Sequence, residues 1–83
     1  MGPNDLIENL DKLHTTALGV KRITKNLSLW NIRDVVDWCR NQITACDSIM
    51  EKIGKNWYIT TGGGVRITVN AYSYTIITAH KLK

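Results

Sequence analysis

The chain has 83 residues, of which 43% are hydrophobic and 22% charged, and its formal net charge is +4. This length allows one domain over residues 1–83 with a modest core, and the composition argues against disorder. The positive charge favours anionic partners, with nucleic acid first and an acidic protein such as an antitoxin second. No apolar run approaches the ~20 residues that span a bilayer, and no signal peptide is evident, so we expect a cytoplasmic protein without a membrane partner.

Three amphipathic helices are predicted within about residues 4–45. The first should end near His14, the second should begin at Thr15 or Thr16, and the third should open with a capping box formed by Asn31 and Asp34. Lys21, Arg22 and Lys25 are expected on the solvent side of the second helix. The apolar positions expected to face the core are Leu6, Ile7, Leu10, Leu13, Leu18, Val20, Ile23, Leu27, Ile32, Val35, Val36, Cys39 and Ile43.

An antiparallel sheet is predicted over about residues 48–81. The segment VRITVN alternates strictly, with Val65, Ile67 and Val69 on one side, which is typical of a half-buried strand. Ile77 and Ala79 should likewise point inward. Three glycines at 62–64 are interpreted as a hairpin turn, because a strand and not a helix follows them. The predicted fold is therefore α+β, with the three helices packed on one face of a four-stranded meander.

The cysteines and tryptophans are predicted to have structural roles, and neither the cysteines nor the histidines are predicted to form a metal-binding site. The two cysteines, Cys39 and Cys46, should be free thiols, and Cys39 lies on an apolar helix stripe as a small buried hydrophobe would. No Cys-x-x-Cys or His-x-x-x-His spacing occurs, so we expect neither a metal site nor a cofactor. Trp38 or Trp57 should be largely buried between helices and sheet.

The polar sides of the predicted strands are the best candidate for a functional surface. Pairing the strands as a meander gathers Tyr58, Thr60, Arg66, Thr68, Asn70, Thr78 and His80. Arg66 can bind phosphate with two parallel hydrogen bonds, and His80 can act as acid or base near neutral pH. Lys55 and Lys81 would add positive charge. The alternative is that these residues form an ordinary solvated sheet face, as antiparallel sheets often have.

Several segments of the chain resemble a small bacterial family of unknown function, and SYTIITAHK is the most specific of them. The others are ENLDKLHTT, LGVKRITKNLSL, DVVDWC and GKNWY. More distantly, helices followed by an antiparallel sheet that carries an arginine and closes on Thr-Ala-His resemble the barnase, EndoU, colicin and RelE ribonuclease superfamily. This second resemblance implies metal-independent RNA cleavage, and it extends only to Arg66, Thr78 and His80. No carboxylate matches the glutamate base of the barnase branch, and Glu51 is the nearest candidate.

The sequence therefore favours two functions. The first is a toxin-type ribonuclease that cleaves RNA by transesterification, with Arg66, Thr78 and His80 as catalytic residues. Its nucleic-acid-binding residues would be Lys55, Tyr58, Thr68, Asn70 and Lys81. The second is a non-catalytic basic binding module, such as a phage or mobile-element inhibitor of a host nucleoprotein of the CRISPR effector type. A structural or regulatory homodimer is a third option.

Overall fold

The computed structural model describes residues 4–45 and 47–82. Over these residues the chain forms three α-helices, one short 3-10 helix and one four-stranded antiparallel sheet whose strands follow each other in chain order. The helices are α1 (Asn4–Glu8), α2 (Ala17–Leu27) and α3 (Val35–Ile43), and the 3-10 helix is Leu10–Lys12. The strands are β1 (Ile49–Ile53), β2 (Asn56–Thr60), β3 (Val65–Asn70) and β4 (Ile76–Lys81). The α+β prediction is confirmed.

Side-chain caps determine where α2 and α3 begin. The Thr16 hydroxyl accepts a hydrogen bond from Gly19 N at 3.0 Å, and the Asp34 carboxylate accepts one from Asp37 N at 3.0 Å. Each cap satisfies a backbone donor that the first helical turn leaves unpaired. The predicted capping box at Asn31 is wrong, because the cap of α3 is Asp34. Residues 29–32 instead form a separate turn, closed by a hydrogen bond from Ile32 N to the carbonyl of Leu29.

The buried stripe of α2 is narrower than predicted. Gly19, Ile23 and Leu27 are buried, and their spacing of four residues places them on one line along the helix. Leu18 and Val20 were expected to face the core, but both are exposed because they lie to either side of that line. Ile7 of α1 and Ile32 ahead of α3 are also exposed, contrary to prediction.

The first helix is shorter than predicted. It ends at Glu8, and after the 3-10 helix the backbone of Leu13 is extended, with φ −60° and ψ 135°. His14 then runs parallel to Thr75, donating from its amide to Tyr74 O and accepting from Ile76 N. These two backbone hydrogen bonds satisfy groups at the sheet edge, which a further helical turn could not do.

The core lies between the helices and one face of the sheet. The sheet contributes Trp57, Ile59, Ile67, Val69, Ile76 and Ala79, and the helical segment contributes Leu6, Leu13, Ile23, Leu27, Val35, Cys39 and Ile43. Trp57 is only 2% exposed, which confirms the predicted burial, and its ring centroid lies 5.5 Å from that of Tyr74. Its indole N–H has no hydrogen-bond partner within the part of the chain that the structure describes, and a buried donor left unpaired typically costs ~1–3 kcal/mol.

A β-bulge in β4 corrects the prediction for Ile77. Thr68 lies opposite Thr78, whereas Val69 lies opposite Ile76, so Ile77 is the extra residue. Ile77 was expected to point inward, but it is 37% exposed, and Ile76 fills the core position with 1% exposure.

We expect the second hairpin to depend on Gly64 and not on Gly63. Gly64 has φ +82°, whereas the φ of Gly63 is not in the left-handed region and a Cβ there would make only an ordinary contact of 3.7 Å with Thr61 Oγ1. Gly64→Ala should therefore cost ~1–2 kcal/mol of unfolding free energy, because an L-residue is strained in the left-handed region. Gly63→Ala is the control and should change it by less than about 0.5 kcal/mol. Urea denaturation followed by circular dichroism measures both, and equal midpoints would contradict the assignment.

Candidate functional site

Three rows of side chains cross the sheet on the face turned away from the helices, which we call the outer face. Their members follow from the strand register, in which directly opposed residues share a face. The first row is Ile49, Thr60, Arg66 and His80; the second is Glu51, Tyr58, Thr68 and Thr78; the third is Ile53, Asn56 and Asn70. The seven polar residues that strand alternation predicts for this side of the sheet all belong to these rows.

Arg66 is at the centre of the candidate site. It is directly opposite Thr60 on one side and His80 on the other, so neighbouring Cα atoms lie ~4.5–5.5 Å apart. Arg66 is exposed and His80 half-buried. Within residues 4–45 and 47–82 neither side chain makes a hydrogen bond or an ion pair, and the one ion pair there joins Arg40 to Asp37 at 3.1 Å. Both groups are therefore available to an external anion.

Thr68 does not offer the accessible hydroxyl that was expected. It is 7% exposed, because it sits mid-sheet with Tyr58 and Thr78 on either side. A bound nucleic acid would touch those two half-buried neighbours first. The Tyr58 hydroxyl accepts a hydrogen bond from Asn56 Nδ2 at 3.3 Å, which directs the ring toward the far end of the sheet.

Asn70 is a turn-forming residue in this structure. Its Oδ1 accepts from the amides of Tyr72 and Ser73 at 2.9 and 3.0 Å. Asparagine side chains commonly hydrogen-bond in this way to the backbone that follows them. The predicted nucleic-acid contact at Asn70 would have to compete with these bonds.

Neither of the two predicted binding lysines lies beside Arg66 on the outer face. Lys55 lies in the β1–β2 turn, and its carbonyl accepts from Ala71 N at 2.7 Å, at the opposite end of the sheet. Lys81 is opposite Val65, whose neighbour Arg66 faces outward, so Lys81 belongs to the helix-covered side. Strand alternation explains this placement, because residues 80 and 81 must point to opposite faces.

Glu51 shares the outer face but is distant from His80. The two residues lie on β1 and β4, separated by three strand spacings or ~14 Å. A single phosphate group cannot contact both side chains at hydrogen-bonding distance. Glu51 is thus poorly placed as an acid-base partner for His80.

A second polar cluster was not identified from the sequence. It lies along the edge of β4 that does not pair with β3. His14 Nδ1 lies 2.9 Å from the carbonyl of Lys12, which can only accept, so Nδ1 carries a proton and donates it; the other ring nitrogen, Nε2, lies 3.0 Å from the Thr75 hydroxyl. Ser73 Oγ lies 2.7 Å from Thr75 Oγ1, and either hydroxyl can be the donor. His14 and Thr75 are 61 residues apart, and no local pattern signals their pairing. The cluster attaches the N-terminal segment to β4.

Cys39 is fully buried on α3, and burial raises the pKa of its thiol to about 12. The prediction of a small buried hydrophobe is confirmed, since a neutral buried thiol is a poor nucleophile. Cys46 lies outside the described residues. Within the described part of the chain, no three His, Cys, Asp or Glu side chains are grouped so that they could hold a metal ion.

The fold and site together define a small α+β protein with an arginine-histidine pair on an open sheet face. The chain belongs to a family described as a protein of unknown function, DUF3781, whose model matches residues 7–80. This match covers almost the whole chain, as the sequence resemblance implied. No curated protein and no solved structure matches the chain, and nothing in these comparisons supports the resemblance to the ribonuclease superfamily. In residues 4–45 and 47–82 no helix has the length and apolarity needed to cross a membrane.

We expect Cys39 to resist alkylation until the protein unfolds. With Cys46 replaced by serine, iodoacetamide at pH 9 should modify Cys39 at least about a hundredfold more slowly in the native protein than in urea, because the thiolate is scarce and covered. Mass spectrometry of timed samples gives both rates. Rapid native modification would show that Cys39 is accessible and reactive.

Proposed function

We propose that the outer face of the sheet binds RNA through a phosphate contact at Arg66 and His80. The observation that carries this proposal is their direct opposition on neighbouring strands, where neither side chain has a partner among the described residues. A guanidinium forms two parallel hydrogen bonds to a phosphate, and an adjacent imidazole can donate a third. The net charge of +4 supports an anionic partner.

The surroundings of Arg66 suit single-stranded RNA. Thr60 lies directly opposite Arg66, and Thr78 and Tyr58 lie on its diagonals at ~7–8 Å. Threonine hydroxyls can donate to phosphate oxygens, and an aromatic ring one step away can stack on a base. Single-stranded RNA is recognised by this combination of stacking and backbone contacts.

Binding without cleavage is the function that this geometry supports best. Transesterification needs a base for the 2′-hydroxyl and an acid for the leaving oxygen. His80 can fill one of these roles, but Glu51 is too distant to fill the other. The protein would then act by occupying RNA or a nucleoprotein, in keeping with an inhibitor carried by phage or a mobile element.

Cleavage is the second candidate, and the cluster of Arg66, Thr78 and His80 favours it. In this version Arg66 stabilises the charge on the phosphorane, and Thr78 orients the phosphate. His80 takes the proton from the 2′-hydroxyl as the base, and solvent water protonates the leaving 5′-oxygen. A toxin of this kind would be restrained by an acidic antitoxin.

Binding to a fluorescent single-stranded RNA should depend on Arg66 and not on Lys81. Arg66→Ala should weaken binding by about tenfold to a hundredfold, since it removes a charge-assisted contact. It should also reduce the slope of log affinity against log salt by about 0.7, the value for one phosphate contact on a single strand. Lys81→Ala is the matched control, because it removes the same charge from the other face. Equal losses for both variants would show that binding is only a response to net charge.

Incubation with total RNA in EDTA separates binding from cleavage. If the protein is a nuclease, the wild type should leave 2′,3′-cyclic phosphate ends, and His80→Gln should slow cleavage by ~10²–10⁴ while RNA affinity changes far less. Arg66→Lys should also cleave poorly, because lysine loses the two-pronged grip on phosphate. Intact RNA after prolonged incubation with the wild type would eliminate the nuclease candidate and leave binding.

A further inference from the structure

The two edge strands of the sheet, β1 and β4, differ in how far the rest of the chain covers their backbone. The outer edge of β4 is covered by backbone and side-chain groups of the N-terminal segment and α2. Four hydrogen bonds do this: His14 N to Tyr74 O, Ile76 N to His14 O, Thr15 Oγ1 to Ile76 O, and Asn26 Nδ2 to Ala79 O. Their donor-acceptor distances are 3.2, 2.8, 2.8 and 3.3 Å respectively. This edge is closed to any further strand.

The edge formed by β1 is open. In the described part of the chain, the backbone of Ile49–Ile53 makes no hydrogen bond apart from its ladder with β2. Every second residue of an edge strand directs its N–H and C=O away from its neighbour, so β1 presents a row of unpaired groups. Ile49 and Ile53 are 66% and 59% exposed on the outer side of the same strand. Such an edge is suited to pairing with another strand.

We propose that β1 pairs antiparallel with β1 of a second copy of the chain, around a two-fold axis at Glu51. The two sheets then become one continuous sheet of eight strands, and both outer faces lie on the same side. A second copy is favoured over another partner because β1 is self-complementary in this register. Closed two-fold symmetry is also the commonest arrangement of homo-oligomers.

In this register Ile49 of each copy lies opposite Ile53 of the other, so the four exposed isoleucines cover each other in two pairs. On the helix side, Met50 lies opposite the second copy's Lys52. Met50 borders a groove of about 310 Å³ at the start of β1, and the aliphatic stem of that lysine can lie over it. Asp47, just before β1, is level with the second copy's Lys55, just after it, but its carboxylate lies against Gly62 and adds no charge pair to the interface.

Registers shifted by one pair of residues are less favourable. The outer-face residues of one copy must lie opposite outer-face residues of the other, so the register can shift only by two residues at a time. One such shift places Ile49 opposite Glu51 and Ile53 opposite Asp47, and the other places the two Lys52 side chains opposite each other. The proposed register has one unfavourable pair, which is Glu51 opposite Glu51 of the second copy. This like-charge contact should make the dimer reversible and sensitive to substitution at Glu51.

Sedimentation velocity at protein concentrations from about 10 µM to about 1 mM tests the dimer. The wild type should shift with concentration from 9.4 kDa to twice that mass. Ile49→Lys combined with Ile53→Lys should remain monomeric, and circular dichroism should show the same fold, since both side chains are exposed. Ile77→Lys is the control, because Ile77 is an exposed isoleucine on β4, the opposite edge strand, and this variant should dimerise like the wild type. A wild type that stays monomeric throughout would overturn the proposal.

Two further variants test the register itself. Glu51→Gln should tighten the dimer by up to about fivefold, because it removes the like-charge pair at the axis. With Cys46 replaced by serine, Glu51→Cys should form an intermolecular disulfide under mild oxidation, since this position meets its own copy. Lys52→Cys should not, because it lies opposite Met50. Cross-linking of Lys52→Cys but not Glu51→Cys, or a dimer unaffected by the isoleucine substitutions, would show that the association uses another surface.

Discussion

The attachment of the N-terminal segment and α2 to β4 is the constraint on which the rest of the structure depends. The helices α1 and α3 are short, with five and nine residues, and helices of that length are unstable alone in water. The line of Gly19, Ile23 and Leu27 places α2 against the sheet. A Cβ at Gly19 would meet the Thr15 side chain, whose hydroxyl donates to Ile76 O. The same few residues therefore bury the helix and close the sheet edge.

This attachment makes the sheet asymmetric in two directions. One face is covered by helices and is apolar, whereas the other carries Arg66, His80 and the threonines. One edge is closed by hydrogen bonds to His14, Thr15 and Asn26, whereas β1 is left with exposed isoleucines. The proposed RNA contact uses the open face and the proposed dimer uses the open edge. The two proposals rest on different residues and stand or fall separately.

The bulge at Ile77 allows Ile76 to pack in the core while Thr78 and His80 stay on the outer face. Strict alternation backwards from Ala79 would place Ile77 in the core and Ile76 outside. With one extra residue in β4, Ile76 packs beside Val69, while Thr78 and His80 keep their places opposite Thr68 and Arg66. Bulges are common near functional sites because they redirect side chains without ending the sheet. Here the redirected residue is an isoleucine that becomes 37% exposed.

The sequence by itself determined the α+β class, the meander order, the glycine turns and the polar face around Arg66. These follow from short-range signals: alternation in VRITVN, glycines between strands, and apolar spacing in the helices. Only the tertiary structure decided that His14 leaves the first helix for β4 and that Ile77 is bulged. It also placed Lys55 at the opposite end of the sheet from Arg66, and Lys81 on the opposite face. It likewise decided that Thr68 is covered and that Glu51 is three strands from His80. Each of these depends on contacts between residues distant in the chain, where hydrogen bonding and burial outweigh local preference, and no local pattern encodes such contacts.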